Sequence, residues 1–494
     1  MKKIIAACLF LGLVVTATPA LSVEDKPAFF AADLHKPNDQ SRVFSLSDDS
    51  GTSFSQLGTW PTKICTSTSD PQCDLSNAQS PSETNPGIMA QPMLVPCATA
   101  DASDCIESIE IKRGNLGYTK LTFEKYMPRN PNLDLDGKEF PSDYSVNLPG
   151  GGAASIWTEV IDGKVSDLKF LVSYQYAMYY DAKFKKFILQ NVRLGIRPVK
   201  EIAESKWSSL WYSEGSSGIQ YDFPRDIELR ATIHMTNEAA GWFKARIEGP
   251  EIKISPLNNR NNRVVVSGSP VTVPTFAYQK NLNEFSDEEK KYTNAAKGVI
   301  FAEPGMREIF GYIEMARKVV NDIAAYSNTY WTLNSTPWDN ANKCLQDTSR
   351  VLGIVSTNAM GYEGASPKFE NGFLNYRVTG LHYAADGKTP NLGTYDLLLR
   401  SDAARCLYGF SDSPVSAVVS ISGAGDTTNV ATTVVNEKDG WLKLKAAGFT
   451  FSEKSIKVKL TQAGKKSTIT CVKGKVTKKV TAEKPKCPAG YKKR

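Results

Sequence analysis

Ile227-Glu228-Leu229-Arg230-Ala231-Thr232-Ile233-His234-Met235 alternates without a break, with five apolar residues separated by four polar ones. In an extended chain successive side chains point to opposite faces, so this pattern predicts a strand with one face buried and the other in water. On that reading Glu228, Arg230 and His234 share the wet face. A histidine so placed has the chemistry of a general base, but an ordinary solvent-facing side chain is the simpler expectation.

Runs of the same kind recur on either side, at 171–180, 244–247, 251–254 and 263–266. Turn pairs such as Asp162-Gly163, Gly249-Pro250 and Asn258-Asn259 separate them. Many short strands between turns favour an antiparallel sandwich over a parallel sheet with crossover helices. The pattern therefore predicts a β-sandwich-like domain over 106–285. A second such domain is expected over 331–462, from β-like runs at 395–400, 415–421, 430–435 and 456–460. Between them, 286–330 reads as helical. Ser286-Asp287-Glu288-Glu289 is a capping box, and Pro304 opens a longer helix carrying Ile309, Phe310, Ile313, Val320, Ile323 and Ala324 at helical spacing. The fold class expected is mainly β: two antiparallel β-sandwich-like domains with a short helical pair between them.

Composition agrees with a globular chain. The 494 residues are 41% hydrophobic and 22% charged, with 35 Gly and 26 Pro, which excludes a collagen, a coiled coil, a wholly disordered chain and a multi-span membrane protein. Residues 1–22 have the order of a secretory signal peptide: Lys2 and Lys3, an apolar run over 4–15, then small residues ending at Ala20 and Ser22. That run is too short to span a bilayer, which takes ~20 apolar residues, and no later stretch is long enough for a transmembrane helix. Residues 23–105 are crowded with Ser, Asp, Asn, Pro and Gly and read as a loop-rich extension.

Export suits the cysteines. Setting Cys8 aside with the signal leaves eight of the nine, an even number for an oxidising compartment. Cys65 with Cys73 and Cys97 with Cys105 would each close a small ring, worth roughly 2–3 kcal/mol by loop entropy. Cys471 pairs with Cys487 by proximity, which leaves Cys344 with Cys406 by elimination. A zinc site is the alternative, but there is no CxxC and the three His are scattered.

Few local patterns carry chemistry. Asn132, Asp134, Asp136 and Asp143 have the alternating oxygen ligands of a calcium loop, with Gly137 at the turn. Glu139 stands where an apolar residue is usual, so a polar hairpin turn competes with that reading; calcium or no cofactor is the expectation. Tyr174, Tyr176, Met178 and Tyr180 share a face, and Trp207, Trp211 and Tyr212 cluster, either as core or as rings that stack on sugars. There is no GxSxG or HExxH. Residues 463–494 hold eleven Lys/Arg against Glu483, a charge of +10 in a chain of +7, so that 23–462 is net acidic. This basic tail is expected to meet an anionic envelope polymer or surface glycan, with no nucleic acid as partner.

Pro96-Cys97 through Cys105-Ile106-Glu107-Ser108, Gly241-Trp242-Phe243, Arg405-Cys406-Leu407-Tyr408-Gly409-Phe410, Cys471-Val472-Lys473-Gly474-Lys475 and Lys486-Cys487-Pro488-Ala489-Gly490-Tyr491-Lys492 carry a resemblance. Together they resemble a family of uncharacterised secreted actinobacterial proteins. The resemblance spans most of the chain beyond residue 22 and implies export and a surface location, with no activity attached. The expected function is thus a secreted or cell-surface protein, non-enzymatic, with a basic tail on an anionic surface. The rivals are a secreted glycan hydrolase and a calcium-dependent carbohydrate-binding protein.

Overall fold

The computed structural model describes residues 41–494, apart from 47–55, 60–62, 82–86, 128–137, 162, 201–218, 288–298, 303, 307, 337–341, 347–348, 412–414, 424–425, 430–431, 452–453, 463–466 and 483. The signal segment 1–22, the capping box at Glu289 and the Trp207, Trp211 and Tyr212 cluster lie outside the described residues.

The protein is mainly β, and Ile227–Thr236 is a strand. It is the middle of a sheet, flanked by Cys105–Arg113 on one side and Asn261–Thr275 on the other, both antiparallel. Facing it is a longer ladder. Ser155–Ile161, Lys164–Asp181 and Lys186–Lys200 run antiparallel in succession, and Tyr326–Thr336 extends them. That last strand closes the structure. Its first half pairs with Val271 to Thr275 of one sheet and its second half with Arg193 to Ile196 of the other. The core between the sheets includes Leu229, Ala231 and Ile233 from one side, and Tyr174, Tyr176, Met178 and Tyr180 from the other. The tyrosine face is therefore core.

The ladder does not stop at the boundary expected over 286–330. Gly241–Ala245 pairs antiparallel with Tyr326–Thr336 and parallel with Val351–Thr357. From there it continues through Leu392–Arg400 to Trp441–Thr450. A second sheet, built around Phe373–Thr379, Lys454–Gln462 and Val415–Gly423, packs on the far half of this ladder. One continuous sheet thus serves two cores. Neighbouring residues in its central strands point to opposite cores: Phe243 to the first and Trp242 to the second, Leu398 to the first and Leu397 and Leu399 to the second. Both faces of these strands are covered, so they read as unbroken apolar runs; every residue of Val351–Thr357 is buried.

The helical segment is shorter than its sequence suggests. Pro304 lies in a turn, the helix runs over Ile309–Val319, and the strand Tyr326–Thr336 begins inside the interval expected to be helical. Ile309, Tyr312, Ile313 and Ala316 recur at three- and four-residue intervals and bury against Phe276, Tyr278, Met360 and Leu381. Arg317 and Lys318 in the last turn suit the negative end of the helix dipole.

The N-terminal extension is woven into the body. Ser41–Leu46 pairs with Ala277–Asn281 and Val299–Ala302, while Leu57, Cys65, Cys73 and Leu94 join the first core. All four cysteine pairs sit at disulfide distance: Cys65 with Cys73, Cys97 with Cys105, Cys344 with Cys406 and Cys471 with Cys487. Among the described residues no helix is long and apolar enough to cross a membrane.

Candidate functional site

The basic C-terminal segment is folded. Ser467–Lys473 pairs antiparallel with Val476–Ala482 on one side and Lys492–Lys493 on the other, and Cys471 of the middle strand is tied to Cys487. Cross-strand partners share a face. Cys471 stands opposite Lys478 and Lys493, while Thr470 stands opposite Lys479 and Val472 opposite Lys492. Lysines therefore occupy both faces. Neither face can bury a core, and the disulfide compensates for its absence. Lys473, Lys475, Lys478, Lys479, Lys492 and Lys493 are all exposed, and none has an acidic partner among the described residues.

Of the calcium-loop residues, Asn132, Asp134 and Asp136 lie outside the described residues. Asp143 caps a short 3-10 turn, accepting from the Ser145 amide at 3.2 Å and from Thr68 Oγ1 at 2.6 Å. Hydrogen bonds from Ser145 and Thr68 hold its carboxyl below the usual aspartate value. Its oxygens are thus already engaged.

His234 is not on a wet face. The disulfide loop between Cys97 and Cys105 covers that end of the strand and leaves the ring 0% exposed. Nδ1 lies 2.5 Å from the Ala102 carbonyl oxygen. Nε2 lies 3.2 Å from Glu107, whose carboxyl is lowered by its hydrogen bond to Arg263. Cys97, Cys105 and His234 have metal-ligand chemistry within 4.8 Å of one another, but the two sulfurs are bonded to each other and offer no thiolate. Beside them Asp104 takes a left-handed backbone (φ 53°) and accepts from Tyr176 Oη at 3.0 Å and Asn261 Nδ2 at 2.8 Å. Burial raises its carboxyl. The cluster pins the loop over the end of the strand Ile227–Thr236.

Two further sites with ionisable side chains carry no sequence signature. Asp396 is buried where Leu392–Arg400 meets Gly249, and burial pushes its carboxyl up to about 7. His382 and Asp322 form a dyad through Nδ1, with Arg317 Nη1 donating to Asp322 at 2.8 Å and Arg317 Nη2 to the Gly380 carbonyl at 2.8 Å. Asn321 and Asp322 are consecutive left-handed residues just beyond the helix end, a conformation this clamp holds in place.

A cleft of about 460 Å³ opens on the outer face of the second sheet. Its floor is a row of cross-strand neighbours: Lys368 beside Asn375, and Asn375 beside Lys457. The rows on either side contribute Glu370 next to Phe373, and Arg377 next to Ser455. Glu363 lines the same wall, 3.8 Å from Arg377. Sequence inspection misses this site because its residues come from three strands whose partners are fixed only by folding. No protein-family model, curated protein or solved structure matches the chain.

Proposed function

We propose that the protein is exported and acts without catalysis at a cell envelope or surface, attaching to an anionic polymer through residues 463–494. The observation that carries this reading is the set of exposed lysines, without an acidic partner among the described residues, on both faces of a disulfide-stapled sheet. A polyanion winding past such a sheet meets cations whichever face it approaches, with no requirement for a shaped pocket. The four cysteine pairs fit an oxidising compartment.

The test is co-sedimentation of the full chain with isolated envelopes. Wild type is expected to be retained at low salt and released in about 1 M salt, where the screening length is ~3 Å. The variant with Lys478, Lys479, Lys492 and Lys493 all changed to Ser is expected to stay in the supernatant. Retention that survives both treatments refutes the reading.

A further inference from the structure

The cleft on the second sheet has a donor and acceptor set that specifies a ligand. Lys368 and Lys457 flank Asn375 in one row across three strands, two strand spacings or about 10 Å apart at the backbone. Among the described residues neither ammonium has an ion-pair or hydrogen-bond partner. Each is accordingly available to a negative charge seated between them. Arg377 is already committed: it lies near Glu363 and its guanidinium packs 3.9 Å from the Phe310 ring centroid.

The rest of the lining restricts the anion. Glu370 and Glu363 stand in the same cleft, so a dianion such as a phosphate monoester would meet repulsion from two carboxylates. Those carboxylates are, however, good acceptors for hydroxyl groups, and Asn371 and Ser455 add amide and hydroxyl chemistry. Phe373 offers an aromatic surface beside the cations. A volume of about 460 Å³ lies within the ~300–1,000 Å³ range of small-molecule sites.

We propose that this cleft binds a carboxylated sugar residue, a hexuronate unit of an acidic polysaccharide. The carboxylate sits between Lys368 and Lys457, the hydroxyls donate to Glu370 and exchange bonds with Asn371 and Ser455, and the apolar face of the pyranose lies against Phe373. The site is separate from the lysine sheet of residues 463–494 and stands independently of the role given to that sheet.

Isothermal titration of the full chain with a galacturonate trimer tests the assignment, with a neutral galactose trimer as control. The acidic trimer is expected to bind and the neutral one not to. Lys368→Ala with Lys457→Ala, both unpaired surface positions, is expected to weaken binding about tenfold or more, equivalent to the loss of ~1.4 kcal/mol. Lys183→Ser, an exposed lysine outside both the cleft and the lysine sheet, is expected to leave it unchanged, which separates this site from general surface charge. Absence of binding by wild type, equal binding of the neutral trimer, or full affinity in the Lys368→Ala, Lys457→Ala variant would each overturn the proposal.

Discussion

At single positions, the structure shows where one atom decides. Gly353 sits at a bulge where Val351–Thr357 passes Gly241–Ala245, and the register slips there by one residue. A Cβ at this position would lie 2.4 Å from Trp242 Cζ3 and 2.8 Å from the Leu398 carbonyl. Gly353→Ala is expected to cost about 3 kcal/mol, the upper end for overpacking, read as a lower urea midpoint. An unchanged midpoint would mean that the strands part easily. Asp396 makes a prediction about pH. Its carboxyl rises from 3.8 unfolded to about 7 folded, so the folded state keeps a proton that the unfolded chain has lost. Stability from this group is therefore complete below the unfolded value and drains away as pH rises through the folded one. Asp396→Asn is expected to stabilise the fold more at pH 8 than at pH 5, by about 2–3 kcal/mol, read as a larger gain in melting temperature at the higher pH. Equal gains at both pH values would remove the assignment. Asp322→Ala breaks three polar contacts and leaves alanine in a left-handed conformation, for an expected loss of ~2–4 kcal/mol in chemical denaturation. None of these three positions has a local pattern. Even His234, whose alternation places it on the right strand, is misassigned by sequence because the loop that covers it comes from more than a hundred residues away.

At the level of elements, sequence is most informative where one side of a strand is wet. Ile227–Thr236 shows clean alternation because Glu228 and Arg230 face outward, bonding Lys112 and Glu110 on the neighbouring strand. It is least informative where both sides are dry. Val351–Thr357 has no period to read, and its uniform burial conceals a strand shared by two cores. The helix over Ile309–Val319 was legible from its apolar spacing, but its start was not: Pro304 marks a turn several residues earlier. The lysine sheet is a different case, since its charge is plain in the sequence while its strands are held without an apolar core. Closing a loop of this size with a disulfide is worth about 3 kcal/mol. Replacing Cys471 and Cys487 with Ser is therefore expected to open residues 467–493 to trypsin while the rest of the chain resists, as followed by mass spectrometry. Equal resistance in the variant would show that the strands hold themselves.

Over the whole molecule, the mainly β class and the presence of two packed cores follow from the density of short strands between turns. Their union through one sheet does not, because it depends on Gly241–Ala245 pairing in parallel with a strand over a hundred residues later. A shared sheet couples the cores: unfolding either one strips a face from strands that the other needs. Differential scanning calorimetry is expected to show one transition for both cores, and Gly353→Ala is expected to lower it as a unit; two separated peaks would contradict the coupling. Tyr326–Thr336 gives this arrangement a direction in time. Until that strand has been made, Arg193 to Ile196 and Val271 to Thr275 lack the partner that joins them. A ribosome working from the N-terminus thus releases more than half of the polypeptide before the seam can shut. During that interval the nascent chain presents two unpaired strand edges to its surroundings, the arrangement most prone to aggregation between chains. Producing this protein is accordingly a race between elongation and self-association, and slower synthesis at low temperature or a holdase on the growing chain should improve its yield more than any added stability in the finished fold.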